Sequence, residues 1–182
     1  VKVVTTPLVD ALVLEPKVFG DSRGFFLESF NARAFSEVTG VEMAFVQDNH
    51  SRSVQGVLRG LHYQVRQTQG KLVRVVRGSV FDVAVDLRRS SSSFGKWYGL
   101  ELSEDNHKAF WIPAGFAHGF YVMSEVADVL YKTTDYYAPG YERTVAWDDP
   151  ELGILWPLGD DQPKLSAKDL AGVSLNQAEV FS

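Results

Sequence analysis

Ser79-Val80-Phe81-Asp82-Val83-Ala84-Val85-Asp86-Leu87 decides the fold. Phe81, Val83, Val85 and Leu87 fall on one face of an extended chain, and Val80, Asp82, Ala84 and Asp86 on the other. That alternation predicts a strand. Asp82 and Asp86 then point together, into solvent or into a polar cavity, and solvent is the commoner environment for aspartate. Outward from this stretch, segments near 44–50, 57–64, 71–77, 97–102, 109–112, 118–123, 127–134 and 143–147 also read as short strands, punctuated by Gly, Pro, Ser, Asp and Asn. Strands recurring at roughly 8–12 residues predict a sandwich or barrel. The chain has no βα alternation, which argues against a doubly wound sheet. Toward the N-terminus, 9–19 reads as a strand interrupted by Pro16, Gly20-Asp21-Ser22-Arg23-Gly24 as a turn, and 25–30 as a further strand. Asn31 caps a helix over 31–38 that Gly40 ends. The tail, 162–182, is polar and proline-marked, and Ser166 caps a short helical turn through Lys168, Asp169 and Leu170.

With 182 residues, 45% hydrophobic and 23% charged, the span 1–182 is expected to be a single domain. No apolar run approaches the ~18 residues of a membrane span. The opening residues, Val1-Lys2-Val3-Val4-Thr5-Thr6-Pro7, lack the apolar core of a signal peptide, so a cytoplasmic location is expected. The absence of cysteine excludes a disulfide scaffold, a thiolate nucleophile and a Cys-ligated metal. A net charge of −5 argues against a general nucleic-acid binder. An anionic substrate would need a local cluster of Arg and Lys.

Val57-Leu58-Arg59-Gly60-Leu61-His62-Tyr63-Gln64 is the first stretch with chemistry. It sets an arginine and a histidine close together in an apolar frame. An unpaired buried cation is costly, so the pair suggests a cleft that receives an anion. His62 is the first candidate for proton transfer, since imidazole titrates nearest neutrality. On a flat strand Arg59 and His62 would face opposite sides, so both reach one site only if the strand bulges, most easily at Gly60.

The second informative stretch is Trp111-Ile112-Pro113-Ala114-Gly115-Phe116-Ala117-His118-Gly119-Phe120. Its Pro113-x-Gly115-x-x-His118 resembles the second motif of the cupin superfamily, which implies an all-β, cupin-like β-jelly roll with one or two short helices. Metal-binding cupins carry His-x-His and then a Glu in their first motif. Here His62-Tyr63-Gln64 keeps one histidine and replaces the other by Gln64. His50 and His107 do not complete the set, so no metal is expected.

A closer resemblance covers nearly the whole chain. Pro16–Phe26, Phe45-Val46-Gln47-Asp48-Asn49-His50-Ser51, Val57–Gln64, Gly70-Lys71-Leu72-Val73-Arg74, Phe81–Asp86, Trp111–Phe120, Leu130-Tyr131-Lys132 and Leu165-Ser166-Ala167-Lys168-Asp169 match, in order, the motifs of the dTDP-4-dehydrorhamnose 3,5-epimerase family. The resemblance implies a cofactor-free isomerase that acts on dTDP-4-keto-6-deoxyglucose in dTDP-L-rhamnose synthesis. The C4 ketone of that sugar acidifies the hydrogens on C3 and C5. Inverting each centre needs a base and an acid on opposite faces of the ring, plus a group to stabilise the enolate oxygen.

By the same resemblance His62 matches the base and Asp169 the carboxylate that pairs with it, with Asp82 a second candidate for that pairing. Tyr131 matches the opposing acid, and Lys71 the group near the C4 oxygen. His118 is a second donor at the mouth. Arg23, Phe26, Glu28, Gln47, Asn49, Arg59, Glu142 and Lys168 surround the ligand, and Tyr137 stacks on thymine. The family resemblance also implies a homodimer whose N-terminal strands, about 1–30, cross to the partner, so that Arg23, Phe26 and Glu28 complete the partner's site. The tail, about 160–182, would fold over the barrel. Three other readings compete: an epimerase or ketoisomerase acting on one centre of a related dTDP-sugar, a metal-dependent cupin, and a non-enzymatic carbohydrate-binding jelly roll.

Overall fold

The alternating stretch is strand β8 (Ser79–Asp86) of the computed structural model, which describes residues 1–182. It belongs to a five-stranded sheet with β13 (Glu142–Thr144), β6 (Leu58–Gln64), β11 (Phe116–Val122), β8 and β9 (Trp97–Ser103) in that order. A six-stranded sheet faces it, ordered β1 (Lys2–Thr5), β2 (Leu12–Glu15), β10 (Ala109–Ile112), β7 (Lys71–Arg77), β12 (Val126–Thr133) and β5 (Gln47–Val54). Strands β3 (Val18–Asp21) and β4 (Gly24–Leu27) form a separate hairpin. Neighbouring strands pair antiparallel throughout. The only α-helices are α1 (Ala32–Thr39) and α2 (Ala167–Leu170). This is the expected all-β, cupin-like jelly roll. No helix is long and apolar enough to cross a membrane.

Between the sheets, Val73, Val75, Phe110, Ile112 and Val129 meet Val80, Ala84, Leu102, Phe116 and Val122. Each such side chain contributes about 1.5–3 kcal/mol by leaving water. The other face of β8 is also covered: Val83 and Val85, with Leu87 just beyond the strand, pack with Leu152 and with Leu175 and Ala178 of the tail. One buried carboxylate fastens this third layer. Asp149 accepts backbone hydrogen bonds from Glu151 (2.7 Å), Leu152 (3.2 Å) and Leu175 (2.6 Å). Helix α1 covers part of the opposite sheet through Phe35, which packs on Trp111. Its Asn31 cap and left-handed Gly40 stop are as expected.

The expectation that Asp82 and Asp86 face solvent is wrong: both are fully buried. Asp86 is held by Arg88, Ser91 and Ser93, and Asp82 by His118. Each aspartate buried in the strand has its own polar partners, which offset the cost of dehydration.

The bulge anticipated at Gly60 is present. His118 pairs with His62 and Phe120 with Arg59, so β6 carries one residue more than β11 between the two pairs. Gly60 has φ +134°, and a Cβ there would lie 2.5 Å from the Gly119 Cα. A Cβ on Gly119 would lie 2.6 Å from the Arg59 carbonyl oxygen. The two backbones touch, and only glycine fits on either side. Gly119→Ala should therefore cost about 1–3 kcal/mol in a urea melt, as overpacking does. Gly140→Ala, with nothing within 4 Å of its Cβ, should stay within about 0.5 kcal/mol of the parent.

Candidate active site

The bulge turns Arg59 and His62 onto the same cavity. That cavity, about 330 Å³, opens between the sheets and is lined from both of them. The five-stranded sheet supplies Arg59, His62, His118 and Glu142, and the six-stranded sheet supplies Gln47, Asn49, Lys71 and Tyr131. Strand parity explains the second set. Gln47, Asn49 and Ser51 alternate along β5 and so share a face, and Asn49 sits beside Tyr131 in the ladder. Tyr137 and Lys168 close the rim from the loop after β12 and from α2.

His62 Nε2 lies 2.7 Å from Asp169 Oδ1. A carboxylate only accepts, so the ring carries its hydrogen on Nε2 and leaves Nδ1 as the basic atom. Asp169, not Asp82, is therefore the partner of His62. Asp82 serves His118, whose Nε2 is 2.9 and 3.0 Å from the two Asp82 oxygens. A donor role for His118 is then left to Nδ1, which donates only in the imidazolium form.

Burial is the largest influence on His62 and pushes the imidazole below its ordinary 6.5. The Asp169 hydrogen bond pulls upward, and Lys168 and Lys71 push down again. The ring is thus neutral and ready to accept a proton near pH 7. Burial alone would raise Asp169, but hydrogen bonds from His62, Ser166 and the Gly60 N–H hold its carboxyl well below the usual range. Burial raises the Tyr131 phenol above 10, so it keeps its proton. Lys71 is dehydrated and falls to about 8, partly supported by Glu142 and Asp82.

The rim is a polar chain. Lys168 Nζ lies 2.6 Å from Glu142 Oε1, and the Tyr137 hydroxyl donates to Glu142 Oε2 at 3.0 Å. The Tyr137 backbone N–H donates to Gln47 Oε1, and Gln47 Nε2 donates to Asn49. Arg59, Lys71 and Lys168 give the cavity local positive charge inside an acidic protein. The Gln64 amide turns away to hold a loop, donating to the Gln67 and Tyr136 carbonyls and accepting from the Ala138 N–H.

Three anticipated residues do not reach this cavity. Arg23 is exposed and pairs with Asp21, Phe26 is 68% exposed on the β3–β4 hairpin, and Glu28 accepts from Asn31. Four lining residues were not anticipated: Ser51, Gln69, Gly119 and Phe120. The alternation from Gln47 through Asn49 pointed to Ser51. Gln69, in a loop, left no comparable sign.

The family model for dTDP-4-dehydrorhamnose 3,5-epimerase matches residues 5–177. The Pseudomonas aeruginosa dTDP-4-dehydrorhamnose 3,5-epimerase is 62% identical over 94% of each chain. A dTDP-6-deoxy-D-glucose-3,5-epimerase from Legionella pneumophila, solved in complex with dTDP-4-keto-L-rhamnose, superposes with a TM-score of 0.95 at 54% identity, covering 98% of this chain and 94% of that one. A 3'-monoepimerase from Streptomyces bikiniensis, solved with dTDP-quinovose, has a TM-score of 0.88 at 33% identity, covering 94% and 86%. By sequence over nearly its whole length and by fold, this chain belongs to the dTDP-4-dehydrorhamnose 3,5-epimerase family.

Proposed function

We propose that this protein converts dTDP-4-keto-6-deoxy-D-glucose to dTDP-4-keto-L-rhamnose by inverting C3 and C5. One observation carries the reading: a histidine paired to a buried carboxylate on one sheet faces a cavity whose other wall holds a protonated tyrosine and a buried lysine. His62 Nδ1 takes the proton from C3, and the C–H electrons move through the ring to the C4 oxygen. Lys71 stabilises that enolate in a dehydrated site, where charge interactions are strong. Tyr131 returns a proton to the opposite face of C3 and is reprotonated from solvent, to which His62 releases the proton it took. The same exchange at C5 completes the reaction. Each proton removed is replaced, so no electron carrier enters the balance.

Arg59 and Lys168 suit the diphosphate, Arg59 through its planar fork of donors. Gln47, Asn49 and Glu142 offer polar contacts at the rim, His118 reaches the sugar, and the half-exposed Tyr137 ring is free to stack on thymine. Arg23, Phe26 and Glu28 act in the second site of a homodimer. The solvent-exposed hairpin carrying Phe25 and Phe26 would cross to a second copy.

The test is deuterium wash-in from D2O, read by NMR. Deuterium at both C3 and C5 is expected, and label at only one carbon would assign the protein to the monoepimerases. His62→Asn should abolish wash-in at both carbons while the dTDP-sugar still binds; unchanged wash-in would remove His62 from the reaction. Asp169→Asn should lower kcat about 10²-fold or more, the scale of general-base contributions. The kcat/KM profile should rise with pH through an acid limb below 6.5, where His62 loses its proton. It should fall near pH 8 as Lys71 loses its charge. A profile still rising at pH 9 would contradict the role of Lys71.

A further inference from the structure

The Asp169 carboxylate makes four hydrogen bonds, divided between two parts of the fold. Oδ1 accepts from His62 Nε2 at 2.7 Å and from the Gly60 N–H at 3.0 Å. Oδ2 accepts from the Ser166 hydroxyl at 2.6 Å and from the Ser166 N–H at 3.2 Å. The Ser166 hydroxyl also accepts from the Asp169 N–H at 3.3 Å, which closes a capping box at the start of α2. The carboxylate that orients the base is thus itself the third residue of a helix cap.

We infer that Ser166 is a positioning residue of the reaction: its hydroxyl fixes the rotation of the Asp169 carboxylate, and through it the tautomer and orientation of His62. This rests on the proposed role of His62 as the base. The geometry argues for it in two ways. First, Asp169 Oδ1 meets His62 and Gly60 at once only if the carboxylate plane is set, and the bonds that set it from the far side both come from Ser166. Second, α2 is only four residues long. So short a helix has little stability of its own to hold a side chain in place, and the cap supplies that order. Ser166 is itself exposed and distinct from the residues lining the cavity. Its replacement therefore opens no core void and removes no contact with the sugar.

Two substitutions separate positioning from helix stability. Ser166→Ala removes both the hydroxyl and a good cap, whereas Ser166→Gly removes the hydroxyl but leaves a residue that helix starts tolerate well. Ser166→Thr keeps the hydroxyl. Two readouts are taken: kcat and KM on dTDP-4-keto-6-deoxyglucose, and long-range 1H–15N NMR of the histidine rings in the substrate-free protein. The latter reports which ring nitrogen carries hydrogen, and four histidines make assignment simple. The alanine and glycine variants should both lose about 10- to 100-fold in kcat, the scale of a slightly misplaced catalytic group, with KM within about twofold of the parent. His62 should change from a pure Nε2–H tautomer to a mixture. Threonine should restore both. A glycine variant with parental kcat and a pure Nε2–H ring would overturn the inference. Absence of turnover in the parent would count against the epimerase reading instead, and the NMR arm would still decide the role of Ser166.

Discussion

The hydrogen bond between Asp169 and His62 is the contact on which the rest depends. It joins helix α2 to strand β6, 107 residues apart in sequence. It forms only because several local features coincide. The Gly60 bulge turns the imidazole into the cavity and frees the N–H of Gly60 itself for the same carboxylate. Gly119 allows the neighbouring strand to approach that bulge. Asp149 pins the tail across the outer face of the sheet, so that α2 is delivered to the mouth. At the other end of α2, a Cβ on Gly172 would lie 2.8 Å from the Ala146 Cα, so that contact also requires glycine. A hydrogen bond to a charged group contributes about 1.5–3 kcal/mol. The arrangement is therefore a stability element in its own right.

Burial disfavours the charged form on both sides of the cavity, lowering His62 and Lys71 and raising Tyr131. On the His62 side it favours the neutral ring, which is the form that accepts a proton. The Asp169 charge limits that shift but does not reverse it. On the opposite wall, burial keeps the Tyr131 phenol protonated and brings Lys71 down to about 8. A lysine that holds its proton only loosely can both stabilise an enolate and let the charge go as the ketone reforms. Dehydration thus acts on His62, Tyr131 and Lys71 alike, each time by disfavouring the charged form.

Much of this was legible in the chain, for identifiable reasons. The strand at 71–77, the strand at 109–112 and the helix stopped by Gly40 follow from local pattern and turn chemistry, and the structure reproduces them. The bulge was legible because Arg59 and His62 could share a site in no other way. What escaped depends on long-range contact. The environment of Asp82 and Asp86 could not be read from strand parity, since parity gives a face and not what covers it. The strand at 2–5 pairs only with 12–15 and lies on the sheet edge, where short strands leave little periodicity. The choice between Asp82 and Asp169 as the partner of His62 was set by a tail whose path across the sheet depends on one buried carboxylate.

Gln64 shows how one position can serve different ends on this scaffold. Compared with a metal-binding cupin, it appears as a lost histidine. In the fold its amide makes three hydrogen bonds: two donated, to the carbonyls of Gln67 and Tyr136, and one accepted, from the N–H of Ala138. A neutral imidazole offers one donor and one acceptor, so a histidine at 64 would leave at least one of those carbonyls without its bond. The residues it clamps, 136 and 138, bracket Tyr137, whose ring stands at the rim of the cavity with its hydroxyl on Glu142. Glu142 is in turn the residue opposite Gln64 in the β6–β13 ladder. The amide therefore fixes from beneath the part of the rim that Glu142 and Lys168 fix from above. A change that reads as the removal of a ligand is, physically, the installation of a support for the Tyr137 rim of the pocket.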